Sequence, residues 1–370
     1  MPAAPRIAII SPNRKVYSET FIAAHIERLE GVALVLTDGH LPARHADGTP
    51  LLSTSPWSRL VRRLTGSSAK DALRSAVART LRADRIDVVL AEYGPTAAAM
   101  LPICHELGLP LVAHFHGVDA FHVRLLREHD DYREVFAHAA AVIAVSREME
   151  EQLATLGAPR ERLHYKCYGI DTARFTVGDP AKAGKNFIGI GRFVDKKAPH
   201  LTILAFQKAL QQDPDLALMI AGTGPLWEAC RQLVATLHLE DRVSLPGVLP
   251  HEDIAERMRS ARAFVQHSVV TAENDHEGTP LAVLEAMASG LPVIATRHAG
   301  IPDVVEHGVH GLLCAERDID AMAANMLAVA RDPEAARSMG RAGRERIEKD
   351  LSMQDHIAAL EAILRNTAQH

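Results

Sequence analysis

The 370-residue chain is long enough for two domains, and its 47% apolar and 24% charged residues sit at globular averages, which excludes a disordered, collagen-like or membrane-embedded chain. A formal net charge of −5 excludes a global drive toward nucleic acid, which would show as a basic excess. The acidic excess lies wholly in residues 181–370, whereas the stretch from Trp57 to Arg85 carries eight Arg and Lys against only Asp71 and Asp84.

Short apolar β-type runs alternate with helix-length segments along the whole chain. The first half offers Ile7-Ala-Ile-Ile, Ala33-Leu-Val-Leu, Asp87-Val-Val-Leu, Leu111-Val-Ala and Ala141-Val-Ile-Ala-Val. The second offers Asn186-Phe-Ile-Gly-Ile, Leu216-Ala-Leu-Met-Ile, Val243-Ser-Leu, Ala263-Phe-Val and Leu291-Pro-Val-Ile. Continuous apolar strands are buried on both faces, so the expected class is α/β with two doubly wound, Rossmann-like domains facing across a cleft. The passage from Tyr168 to Lys185 is rich in Gly, Pro and Lys, and Phe175 to Lys185 reads as the linker; the domains are placed at 1–176 and 177–352. Ile357, Leu360, Ile363 and Leu364 recur at helical spacing, which predicts a closing helix over 353–370 that packs back onto the first domain.

The termini and cysteines add little chemistry. The apolar run Ile7 to Ile10 is too short for a secretory h-region, and no run approaches the ~18 apolar residues of a membrane span. Cys104, Cys167, Cys230 and Cys314 lack CxxC spacing and fit a reduced interior.

Several standard catalytic spacings are absent, among them GxSxG and HExxH. Gly178 to Gly184-Lys185-Asn186 misses the Walker A spacing, and Gly189-Ile-Gly191 has only the first two glycines of a dinucleotide fingerprint. The segment Gly191-Arg192-Phe-Val-Asp-Lys196-Lys197-Ala-Pro199 follows a strand and opens a helix. There Arg192 and Lys197 can converge on one anion beside a helix N-terminus, or form a solvated basic turn. Gly222 and Gly224 let a ring or phosphate approach the backbone, although a tight turn would use them equally well. In Glu277-Gly278-Thr279-Pro280-Leu281, Pro280 suits the first helical position and Thr279 the cap, so Glu277 stands just ahead of a helix N-terminus. Glu285 lies within that helix between Leu284 and Ala286, where a carboxylate needs a partner. Sugar hydroxyls suit both carboxylates; a capping Glu and an ordinary exposed Glu are the plain alternative. His114-Phe-His116-Gly-Val-Asp119 places two imidazoles on one strand face, which invites a metal, but histidines lining the sheet edge are the simpler reading and no metal is assigned.

In this order and spacing the motifs resemble the retaining glycosyltransferases of family 4, which have the GT-B fold. Glu277 to Glu285 fits the E-x7-E motif of that family, Arg192 with Lys197 its Arg-x4-Lys motif, and Tyr168-Gly-Ile-Asp171 its approach to the linker. The resemblance implies an N-terminal acceptor domain and a C-terminal donor domain. Arg192 and Lys197 would hold the donor diphosphate, joined by backbone N–H groups around Gly278, Thr279 and Leu281. Glu277 would bind hydroxyls of the transferred sugar and Glu285 those of the ribose. Gly222 and Gly224, with Pro246-Gly247-Val248, would form the base pocket, and His116 would face the sugar from the first domain. The form Ser18-Glu19-Thr20-Phe resembles a subgroup associated with bacterial exopolysaccharide assembly, with Ser18, Thr20 and Asp119 on the acceptor side.

A transfer of this kind takes a UDP- or GDP-sugar as co-substrate and needs no cofactor or metal, and its acceptor is a glycan, a lipid-linked molecule or a small molecule. Nucleic acid is not an expected partner. The expected location is cytoplasmic, at the inner face of the membrane if the segment 57–85 rests on anionic lipid through Leu73, Val77 and Leu81. A core-packed helix with a solvated basic face is the other reading of that segment. A nucleotide-sugar epimerase of similar fold and a non-catalytic sugar-nucleotide-binding protein remain as alternatives; the presence of Arg192, Lys197, Glu277 and Glu285 together argues against the second.

Overall fold

The apolar runs assemble into two sheets in the computed structural model, which describes residues 4–14, 19–52 and 68–369. The first sheet contains β1 (Ile7–Ile10), β2 (Val32–Thr37), β3 (Arg44–His45), β4 (Val88–Glu92), β5 (Leu111–His114), β6 (Ala141–Ala144) and β7 (Leu163–Tyr165), in the order β3-β2-β1-β4-β5-β6-β7. Only the β2–β3 pair is antiparallel. The second sheet contains β8 (Asn186–Ile190), β9 (Ala217–Ala221), β10 (Val243–Ser244), β11 (Ala263–Gln266), β12 (Val293–Thr296) and β13 (Gly311–Cys314), in the order β10-β9-β8-β11-β12-β13. Its pairings are all parallel. Strands β1, β4, β5, β6, β11 and β12 are buried at every residue, as helices on both faces of a parallel sheet require. Strand order reverses at β1/β4 in the first sheet and at β8/β11 in the second, and open α/β sheets bind ligands beside the carboxyl ends of strands at such reversals.

The chain divides into two units. One runs through Lys166 and takes back the chain from Ile357 onward; the other holds Cys167–His356. This division falls ahead of the composition change at residue 176 and inside the closing helix, Met353–Ala368. Within the first unit, the Glu30 amide donates to Glu361 Oε1 at 2.9 Å. The two crossing points are themselves tied: Met353 N donates to Ile170 O at 3.0 Å, and His356 Nδ1 lies 2.9 Å from Cys167 O.

Three strands were not anticipated: β3 and β7, which are short and carry polar residues, and β13, which directly follows a turn. The helix Pro199–Leu210 does begin at its proline. The helix Leu281–Ala288 begins later than expected, because Pro280 keeps an extended ψ of 117° and takes the cap position without a side-chain cap bond; Thr279 lies buried ahead of it and is not the cap. Lys185, from the Walker-like run, donates to Asp213 at 2.8 Å and is a structural pair.

The basic segment of the first unit is described from residue 68 on; residues 57–67 lie outside the described residues. Ser68 caps the helix Ala69–Ala83 by accepting from Asp71 N. Val77 and Leu81 are 0% and 1% exposed and the helix packs on Gly94–Leu107, so each buried side chain contributes about 1.5–3 kcal/mol to the core. Lys70, Arg79, Arg82 and Arg85 stay exposed. For this part of the segment, Val77 and Leu81 of the stripe that would have met lipid are spent inside and Leu73 is half-buried, which favours the core-packed reading. Among the described residues no helix is long and apolar enough to cross a membrane. The four cysteines are buried and unpaired with one another.

Candidate functional site

In the second unit the chemistry gathers where β8 and β11 diverge. After β8 the chain turns through Asp195–Lys197 and passes Ala198, a buried residue at φ +36°, before Pro199 starts the helix. After β11 a long loop carries Asp275, His276, Glu277 and Gly278 to the helix Leu281–Ala288. The two loops meet through adjacent lysines. Lys196 Nζ donates to Asp275 Oδ1 at 3.0 Å and to His276 O at 2.9 Å, and Lys197 Nζ lies 3.2 Å from Glu277 Oε1. The Lys197 contact is an ion pair without hydrogen-bond geometry; among the described residues nothing donates a hydrogen bond to the buried Oε1.

Burial acts to raise the Glu277 carboxyl, but Lys197, Lys196 and His298 outweigh it and hold it at about 2. Burial also lowers the Lys197 ammonium, with Glu277 opposing. Glu285, in the first turns of the following helix, is pushed up to about 7 by burial, and Lys197 counters part of that rise. One lysine therefore acts on both carboxylates. The Glu277 amide is held as well: it donates to His298 Nε2 at 3.1 Å, and His298 Nδ1 lies 2.6 Å from Glu316 Oε1.

Around this cluster, Gly222 and Gly224 adopt φ +136° and +156°. A Cβ on Gly222 would stand 1.9 Å from Gly191 O, and one on Gly224 2.6 Å from Phe193 O, so these glycines let the β8 and β9 loops pack backbone to backbone. Gly222 N donates to Gly247 O at 2.7 Å, which brings the Gly247-Val248 turn alongside and leaves Val248 53% exposed. Gly278 O accepts from Gly300 N, Thr279 is buried, and Leu281 is half-buried in the first helical turn. Arg192 is exposed; its carbonyl accepts from Val194 N at 3.0 Å, and its guanidinium has no hydrogen bond or ion pair to another described residue.

The first unit has its own cluster, at the β1/β4 reversal. Glu92, the last residue of β4, is fully buried, with His25 Nδ1 at 2.7 Å, His116 Nε2 at 2.8 Å and His114 Nδ1 at 3.3 Å. The His114 and His116 rings lie 4.3 Å apart, as strand alternation predicts. Burial works to raise Glu92, yet His25 and His114 keep it well below the usual range. Burial lowers His114 to about 4 and also lowers His116. Atoms of His25, Glu92 and His114 lie within 4.8 Å of one another, a donor set able to hold a metal ion, but here the carboxylate is shared among the imidazoles.

Asp119 is 1% exposed and accepts the N–H groups of Gly94, His116 and Gly117, each at 2.9 Å, so it braces the histidine loop. Burial raises its carboxyl against those bonds. Thr20 opens the helix Thr20–Arg28, and Glu19 before it accepts from Asn13 and from the Tyr93 hydroxyl. Ser18 lies outside the described residues.

Residues 31–174 match the family model described as Glycosyltransferase Family 4, and residues 175–346 the one described as Glycosyl transferases group 1. The chain is 30% identical to WcaL of Escherichia coli K12, whose name assigns it to colanic acid biosynthesis, over 80% of this chain and 75% of that one. The chain belongs to glycosyltransferase family 4. This glycosyltransferase is also 31% identical to the amylovoran biosynthesis glycosyltransferase AmsK of Erwinia amylovora, over 80% of its own length and 74% of AmsK. In structure it is similar to Anabaena HepE, solved in complex with UDP, with a TM-score of 0.79 at 17% identity, covering 98% of this chain and 100% of HepE. Two Rossmann-like units with such neighbours make the fold GT-B.

Motif reading in this glycosyltransferase found Lys197, Glu277 and Glu285, which the fold brings together, but missed Glu92, His25, Lys196, His298 and Glu316. One signal was available: Val88-Val-Leu-Ala-Glu92 ends an apolar strand on a carboxylate, which cannot be buried there without partners. The others act across loops distant in sequence and leave no local pattern.

Proposed function

We propose that this glycosyltransferase transfers a sugar, with retention, from a UDP- or GDP-sugar to a glycan or lipid-linked acceptor in exopolysaccharide assembly. The observation that carries the reading is the Lys197–Glu277 pair at the β8/β11 reversal, with an ionised, buried carboxylate oxygen that no described group hydrogen-bonds. Such an oxygen suits a sugar hydroxyl donor, and the neighbouring ammonium suits a phosphate. The names of WcaL and AmsK support the exopolysaccharide setting.

In this reading Lys197 and Arg192 meet the negative charge that grows on the leaving diphosphate, and the N-terminus of Leu281–Ala288 adds N–H donors. These fixed charges do the work a metal would otherwise do. The bond from the anomeric carbon to the phosphate oxygen breaks as the acceptor oxygen bonds on the same face, and the acceptor proton passes to the departing phosphate oxygen. Glu277 orients the sugar and stabilises positive charge developing at its anomeric carbon, and Glu285 holds the ribose. Incubation with a panel of UDP- and GDP-sugars tests the assignment: release of the nucleoside diphosphate, accelerated by acceptor, is expected. An epimerised sugar without acceptor would point to an epimerase, and saturable binding without turnover to a non-catalytic protein.

A further inference from the structure

The Glu277 backbone is held by a relay that runs along the carboxyl edge of the second sheet. Glu316 follows β13, His298 follows β12 and Glu277 follows β11, three strands adjacent in the sheet. Glu316 Oε1 faces His298 Nδ1 at 2.6 Å, and its Oε2 accepts Val270 N at 2.9 Å. Because the Glu277 amide donates to His298 Nε2, that nitrogen must carry the lone pair, so the proton sits on Nδ1 and is given to Glu316. The His298 side chain is 0% exposed, so water does not supply a substitute acceptor. One carboxylate thereby holds both ends of the 270–277 loop, at Val270 directly and at Glu277 through the imidazole.

We propose that His298 and Glu316 are positioning residues for the donor sugar: they fix the Glu277 backbone, and with it the carboxylate aimed at the sugar hydroxyls. The inference rests on Glu277 binding the sugar. Sequence motifs do not mark either residue, and neither faces the diphosphate pair of Arg192 and Lys197 in the chemistry above. Their effect is therefore larger on the part of donor affinity that depends on the sugar than on the part that depends on the diphosphate.

Two measurements test it on the full chain. The first compares affinities for UDP against UDP-glucose and for GDP against GDP-mannose by calorimetry, so that the ratio within a pair isolates the sugar. His298→Ala lowers that ratio by about tenfold, roughly the worth of one buried hydrogen bond, while affinity for the nucleoside diphosphate alone falls by less. His298→Gln, whose amide oxygen reaches the Nε2 position, restores most of it. His298→Asn, which reaches only the Nδ1 position, does not, and Glu316→Gln, with one acceptor oxygen in place of two, falls between. The second measurement is amide hydrogen exchange over residues 270–281 without ligand: faster than wild type in His298→Ala and His298→Asn, near wild type in His298→Gln. Unchanged exchange in His298→Ala, or equal behaviour of the Gln and Asn variants, overturns the inference. A preserved ratio in His298→Ala where Glu277→Ala loses it overturns the inference alone; a preserved ratio in Glu277→Ala, or a wild-type chain that binds neither pair, overturns the functional reading and the inference with it.

Discussion

Both sheets place a buried carboxylate where strand order reverses, and the two are partnered by different means. Glu277 in the second unit is met by Lys197, with Lys196 close by, and these cations hold its carboxyl down. Glu92 in the first unit is met by three imidazoles, of which His114 and His116 are biased toward the neutral form by burial. A fixed cation suits the receipt of a phosphate in the proposed reaction; buried imidazoles suit close packing with hydrogen-bond geometry.

The comparison breaks most visibly if Glu92 is removed. Glu92→Ala strands the imidazole N–H groups in a dry interior, and a loss of about 3 kcal/mol of stability is expected by denaturant unfolding. A loss under about 1 kcal/mol would mean that the histidines repartner without the carboxylate. In the second unit the corresponding changes act on turnover: Lys197→Ala and Glu277→Ala each raise the barrier by about 2–4 kcal/mol, read from kcat/KM with the active donor. Near-wild-type rates in both would remove the pair from the chemistry.

Acid separates the clusters more gently. His114 is lowered from 6.5 to about 4, so its contribution to stability is full above 6.5 and lost as pH falls toward 4. His267 in the second unit behaves alike, lowered to about 4 by burial. Glu277, lowered from 4.5 to about 2, adds its loss only below 4.5. In a Glu285→Gln background, which removes an opposing contribution over the same range, Tm is therefore expected to drop by about 5 °C or more as pH falls from 6.5 to 4.5, before the Lys197 pair is touched; a flat Tm there would contradict the burial of neutral imidazole. The smallest effect belongs to Glu285. Its neutral form is favoured by the fold, a contribution full below 4.5 and lost as pH rises through about 7. In the proposed reading ribose hydroxyls donate to the ionised form, so donor affinity should climb up to about tenfold between pH 6 and 8, and Glu285→Gln should flatten the climb.

Most of both sheets was legible because buried parallel strands are apolar throughout and stand out against the helical segments. Of the four edge strands only β10 was, through Val243-Ser-Leu. Leu163-His-Tyr and Arg44-His45 carry polar residues because one side of an edge strand needs no partner, and Gly311-Leu-Leu-Cys follows a turn that hides its start. At the site, Lys197, Glu277 and Glu285 were readable because a helix N-terminus and a short loop fix their spacing. Gly222 and Gly224 were readable as glycines that matter, but the structure shows their immediate reason to be contact with the Gly191 and Phe193 carbonyls. Glu92, His298 and Glu316 meet their partners only once separate strand ends are aligned, so no window of sequence contains the interaction.

The return of the chain from Ile357 into the first unit sets an order of assembly. During synthesis the strands of the first unit emerge before any of the second, yet its last helix emerges after the second unit is complete. The half made first is therefore the half that closes last, and until Glu361 reaches Glu30 a nascent chain carries a finished second unit beside an open first one.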